Sequence, residues 1–363
     1  MKAEKILAEL VKINTVRDKE NGKIMKFIAE YLVKRGFVVK FVTDEKTKKA
    51  NLIAQLDPKK CNGLFFVGHT DTVPESQVWT KNPFVVTKES GKIYGLGTSD
   101  MKGGIAAFLA AIDTFDKEKI KTNLGMVLTY DEEISFSGIK AFLKKNIFKE
   151  SLIIIGEPTD NIPIIATKGA LAVRVEFFGK SAHGSVPAMG VNAILMAQQF
   201  IEKLLVLEKK LAKEKNALFN PSNATLNIAK INGGDAINKV PSNCVLDFEF
   251  RVIDTKQSKN ILAYLENIVK HESMQASIEV LMNLSPMLNK GGDFIEIVEA
   301  ITNNKAVAEN YATEGSFLGG AGNQIVILGP GPMMAHMADE YITEKSFKKT
   351  INLYKQIIQE SCF

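Results

Sequence analysis

The chain has 363 residues, 45% of them apolar and 24% charged, with a mean hydropathy of 0.00 and a net charge of +5. That balance fits a globular protein with room for a large core and excludes a low-complexity or disordered chain. No run approaches the ~18 apolar residues of a membrane span. Lysines are interspersed with acids and no basic block stands beside aromatics, which gives nucleic-acid binding no support.

At the N-terminus, Ile6, Leu7, Leu10, Val11 and Ile13 recur at helical spacing among Glu4, Glu9 and Lys12. This is an amphipathic helix and not a signal peptide, so the cytoplasm is the expected compartment. The three cysteines, Cys61, Cys244 and Cys362, have no zinc-finger or redox spacing and read as packing or surface thiols. Helical periods cover 2–13 and 22–36, and apolar strand-like runs follow at 64–68, 126–130 and 152–156. The Ala-rich segment 103–115 begins on two glycines and reads as a buried helix. From 168 the rhythm changes: strand 171–179, helix 191–215, strands 224–233 and 243–254, helix 257–271, strand 277–282. That βαββαβ order is the split-βαβ arrangement, compact enough to be spliced into a surface loop. The first rhythm resumes with a helix at 293–303, the run 324–331 and a final helix at 344–360. The expectation is an α/β catalytic domain in two parts, 1–167 and 285–363, with a mixed sheet flanked by helices and an inserted α+β domain at 168–284.

Chemistry-bearing residues follow the strand-like runs. The run 64–68 leads into His69 and Asp71, 126–130 into Asp131, Glu132 and Glu133, 152–156 into Glu157, and 324–331 toward His336. In open α/β sheets, ligands bind at the carboxyl ends of the strands. With Asp100 added, two imidazoles and several carboxylates could converge, a donor set that suits Zn²⁺, with Co²⁺ or Mn²⁺ not separated by spacing. Any one of these residues could be a cap or a solvated turn; together they point to a metal centre. The adjacent Glu132–Glu133 pair repels itself unless a cation intervenes, and one acid on a metal with the other activating its water resolves the conflict.

GHTDTVP, GLGTSDMKGG, TYDEE, GEPT and GPG…AHMADEY, in this order and spacing, resemble the family of co-catalytic zinc aminoacylases and carboxypeptidases. That family includes acetylornithine deacetylases and succinyl-diaminopimelate desuccinylases. VWTKNPF, INGGDAIN and NYATEGSF are most similar to the deacetylase branch, although TEGSF stands where a TEAPF-like segment is usual. The resemblance implies two Zn²⁺ per subunit, one on His69, Asp100 and Glu157, the other on Asp100, Glu133 and His336. It implies Asp71 as the group orienting His69, Glu132 as general base, and a cis peptide after Asp100. It further implies His183 of the insert as an oxyanion stabiliser reaching across a homodimer, and Asn238 and Arg251 as substrate contacts. Read alone, His183 could cap a helix near Val191, and Arg251 could be an exposed strand residue. Glu314, among the small residues of NYATEGSF, is expected to favour a substrate ammonium; a solvated loop acid is the competing reading. The expected reaction is hydrolysis of an N-acyl amide of a small amino acid, acetylornithine foremost, without nucleic-acid or membrane partners. A desuccinylase, another N-acyl hydrolase or a dipeptidase competes with it, as does a non-catalytic homologue.

Overall fold

The computed structural model describes residues 2–16, 19–60, 62–144, 148–289, 291–319 and 322–363; Cys61 lies outside them. Two compact units form, the larger from residues 1–165, 288–307 and 313–363, the smaller from 166–287 and 308–312.

A mixed, nine-stranded sheet organises the larger unit. Its first six strands in spatial order are Val38–Asp44, Lys49–Gln55, Asn123–Thr129, Gly63–His69, Leu152–Ile155 and Gln324–Ile327. The last four of these run parallel to one another, and the first two are antiparallel additions at the edge. Parallel strands covered on both faces need continuous apolar sequence, and Leu64, Phe65, Phe66 and Val67 are all fully buried. The helix Lys102–Ile112 is almost entirely buried and packs against the helices Ala3–Lys12 and Glu344–Cys362. Gly103 and Gly104 are what let it approach so closely. A Cβ on Gly103 would lie 2.1 Å from the Thr98 carbonyl oxygen, and one on Gly104 would lie 2.1 Å from that of Gly156. The edge pair Val38–Asp44 and Lys49–Gln55, and a small sheet of Thr87–Glu89, Lys92–Tyr94 and Tyr341–Thr343, are strands the apolar periodicity did not announce.

The smaller unit is a four-stranded antiparallel sheet in the order Thr225–Gly233, Asn243–Val252, Gly169–Phe178, Ala276–Leu284. Alternation decides its faces: Leu171, Val173, Val175 and Phe177 are buried in one core with Phe200 and Leu204 of the helix Ala193–Leu211 and Leu265 of the helix Gln257–His271. On the other face Arg174 holds Asp247 of the adjacent strand through a bidentate pair at 2.7 and 2.8 Å. Cys244 and Cys362 are buried free thiols. Among the described residues no helix is long and apolar enough to cross a membrane.

Candidate metal centre

The four parallel strands end side by side, and each delivers a side chain. His69 is the last residue of its strand, Glu133 follows Thr129, Glu157 follows Ile155, and the chain after Ile327 turns through Gly329–Pro332 to His336. Asp100 comes from the loop before the helix Lys102–Ile112, next to a cis Asp100–Met101 peptide. His69 Nε2 is 3.0 Å from Asp100 Oδ1 and 3.4 Å from Glu157 Oε1. His336 Nε2 is 3.1 Å from Glu133 Oε2 and 3.8 Å from Asp100 Oδ2. The two oxygens of Asp100 therefore face different partners. Potential ligand atoms of His69, Asp100 and Glu157 all lie within 4.8 Å of one another, as do those of Asp100, Glu133 and His336.

The supporting contacts distribute differently from the simple expectation. His69 Nδ1 is 2.9 Å from the main-chain oxygen of Asp71, while the Asp71 carboxylate lies 3.7 Å away. That carboxylate instead accepts the main-chain N–H of Glu133 at 3.1 Å and of Glu132 at 3.4 Å, tying the His69 strand end to the acidic turn. Asp131, left-handed at φ 57°, belongs to neither candidate ligand group and pairs with buried Lys49. Glu314 is fully buried and not a solvated loop acid: one oxygen accepts the Thr129 hydroxyl, and the other has no hydrogen-bond partner among the described residues.

The electrostatics record crowding of like charge. Burial, together with Glu157, Glu133 and Asp100, pushes the Glu132 carboxyl well above the usual carboxylate range. Burial and then Asp100 raise Glu157 to about 7, and burial raises Glu314 to about 7. Burial disfavours the charged imidazole of His69, yet Glu157 and Asp100 more than offset this and hold it well above its ordinary value. The hydrogen bond to Glu133 raises His336. Such a set of oxygen and nitrogen donors, short of positive charge and paired around one shared carboxylate, fits a divalent metal centre.

Sequence reasoning passed over Thr129, which donates to Glu314, and Glu340, whose carboxylate accepts the main-chain N–H of Asp100 at 2.9 Å. Glu340 lies inside the AHMADEY segment and was the more accessible signal, since a second acid so near a ligand invites a supporting role.

Within the smaller unit, His183 and Asn238 come together. Gly184 N–H donates to the Asn238 carbonyl oxygen at 2.7 Å, and both residues are exposed. His183 Nδ1 is 2.7 Å from the Ser185 hydroxyl. The helix near Val191 is capped not by His183 but by Asn192, which accepts the N–H groups of Ile194 and Leu195. Arg251, half-buried, pairs with Glu249 of its own strand at 3.2 Å.

Fold and site together define a metal-dependent amidohydrolase. Residues 65–360 match the model of peptidase family M20/M25/M40, and the chain belongs to that family. It is 34% identical over 359 residues to the acetylornithine deacetylase of Buchnera aphidicola, covering 96% of this chain and 94% of that protein. It is likewise 34% identical over 355 residues to the acetylornithine deacetylase of Photorhabdus laumondii, covering 95% and 92%. Among solved structures, an M20 family metallo-carboxypeptidase from Sulfolobus solfataricus superposes with a TM-score of 0.81 at 18% identity, over 99% of each chain.

Proposed function

We propose that the enzyme hydrolyses N2-acetyl-L-ornithine to L-ornithine and acetate, in arginine biosynthesis in the cytoplasm. The chemistry rests on one observation: Asp100 presents one oxygen to His69 and the other toward His336, with Glu133 beside His336. His69, Asp100 and Glu157 would hold one Zn²⁺, and Asp100, Glu133 and His336 a second. Bound there, such a pair polarises an acyl carbonyl and lowers the pKa of water. Glu132 is the general base: it accepts the proton of the attacking water and returns it to the leaving amine nitrogen. Asp71 orients His69 through its carbonyl and holds the Glu132–Glu133 turn through its carboxylate. From the insert, His183 would donate to the developing oxyanion. Arg251 and Asn238 would hold the substrate carboxylate, in an enzyme working as a homodimer.

The names of the deacetylase relatives support the ornithine substrate, and so does Glu314. Glu314 is fully buried and would favour the free ammonium of an acetylated diamino acid through its charge, without direct contact. Glu314→Gln keeps an oxygen for the Thr129 hydroxyl and removes the charge. With zinc-loaded enzyme we expect acetate release from acetylornithine, slower turnover of N-succinyl-diaminopimelate, and a KM for acetylornithine that rises at least ~10-fold in Glu314→Gln. The KM for acetylmethionine should change little. Equal changes for both substrates would show that Glu314 does not read the cation. Faster turnover of the succinyl substrate would replace the deacetylase reading.

A further inference from the structure

The segment that carries His336 also carries Glu340, an acid to which the hydrolytic chemistry gives no task. Glu340 is 2% exposed. Its carboxylate is committed to backbone: Oε1 accepts the N–H of Ser99 at 2.6 Å and of Asp100 at 2.9 Å, and Oε2 accepts that of Gly97 at 2.8 Å. Its main-chain oxygen accepts the N–H of Gly95 at 3.0 Å and the Thr98 hydroxyl at 3.3 Å. Ser99 completes the connection from the other side. Its hydroxyl donates to the Pro332 carbonyl oxygen at 2.9 Å and accepts the Met334 N–H at 3.2 Å. Beyond Glu340, Tyr341 pairs with Tyr94 in the small sheet and continues the same seam. The backbone from Gly95 to Asp100 is thus laced to the turn that presents His336.

Asp100 faces both ligand groups, so an error in its main-chain position is felt by both. Only an acceptor with two oxygens and several lone pairs can serve three N–H groups arranged this way, and a carboxylate is the side chain that has them. We propose that Glu340 is a positioning residue of the metal centre, setting the backbone at Asp100 in register with the His336 turn so that the two ligand groups assemble together. The inference rests on reading those groups as a metal centre.

Glu340→Gln leaves one acceptor oxygen, so either Gly97 or the Ser99–Asp100 pair loses its partner. Glu340→Ala removes all three bonds. Asn123→Ala serves as a structural control: Asn123 is buried at the start of its strand, the end opposite the candidate ligands, where it donates to the Lys60 carbonyl oxygen at 2.9 Å and accepts the Asp57 N–H at 3.1 Å. The full chain, stripped by a chelator, is titrated with Zn²⁺ against a competing chromophoric chelator, and the melting temperature of each metal-free protein is recorded. Zn²⁺ affinity should fall ~10- to 100-fold in Glu340→Gln and further in Glu340→Ala, while Asn123→Ala lowers the melting temperature and changes affinity by less than about twofold. The visible spectrum of the Co²⁺-loaded Glu340→Gln protein should differ from that of the parent. If Glu340→Ala does not fold, Glu340→Gln decides the matter. Unchanged affinity and spectrum in Glu340→Gln, with or without a lower melting temperature, would overturn the inference and leave the metal centre intact. A parent protein that binds no Zn²⁺ would overturn the metal-centre reading and this inference with it.

Discussion

Glu132 and Glu133 are neighbours in sequence, yet their environments separate their tasks. Glu133 is 3.1 Å from His336 and belongs to a ligand group, whereas Glu132 has no place in either group. Burial and surrounding acids raise the Glu132 pKa, the direction expected of the proposed general base. In Glu132→Gln the amide keeps the shape and loses the basicity. The variant should therefore retain the parent's metal content by elemental analysis while kcat falls ~100-fold or more. Metal loss in that variant would make Glu132 a ligand instead. At this scale, residue type and order in the sequence were enough to nominate both acids. What they could not give is the direction of Asp71 and Asp131, whose carboxylates go to the Glu132 and Glu133 amides and to Lys49.

The helix Lys102–Ile112 shows how an element positions a site. Its apolar, Ala-rich sequence made it readable as buried, but its two glycines looked only like a starting signal. Their function is contact: at Gly104 the helix backbone meets the Gly156 carbonyl, one residue before Glu157. Gly→Ala in a helix interior ordinarily gains up to ~1 kcal/mol of propensity. Here the added methyl meets backbone that no side-chain rotation can clear. Gly104→Ala should destabilise the protein by ~1–3 kcal/mol in urea unfolding and weaken metal binding through Glu157. A stabilised variant would show that the close approach matters less than helix propensity. The insert makes the complementary case, since strict alternation along Gly169–Phe178 reveals a two-faced strand directly.

For the whole molecule, the buried charge predicts how the metal-free protein responds to pH. Glu157 and Glu314 are held near about 7 and Glu340 near about 8, all above the 4.5 of an unperturbed glutamate. Between roughly pH 4.5 and 7 the folded chain therefore binds more protons at these sites than the unfolded chain, and its stability falls as pH rises. His69, raised by its acid neighbours, acts in the same direction above its unfolded value of 6.5. Asp100, lowered, is felt only below about the 3.8 of an unperturbed aspartate, and Lys102, lowered by burial to about 7, acts above neutrality. The chelator-treated protein should thus melt several degrees higher at pH 5.5 than at pH 7. The zinc-loaded protein should lose that trend or reverse it, because acid displaces metal from its ligands. A metal-free protein more stable at pH 7 than at pH 5.5 would contradict the charge balance drawn from the site.

The α/β class, the four strands that lead into the candidate ligands, the βαββαβ order of the insert and the family were all legible in the sequence. Buried parallel strands are continuously apolar, half-buried ones alternate, and His and carboxylates are side chains that can hold a metal. The lacing of the 95–100 backbone to the His336 turn, the burial of Glu314 against Thr129, and the close approach at Gly103 and Gly104 emerged only from the tertiary structure. Most of these join residues separated by tens to hundreds of positions, through main-chain N–H and C=O groups, a buried side-chain hydrogen bond or the space a missing side chain leaves. Every residue but proline carries both of those main-chain groups, so the identity of a side chain says little about which distant partner its backbone meets.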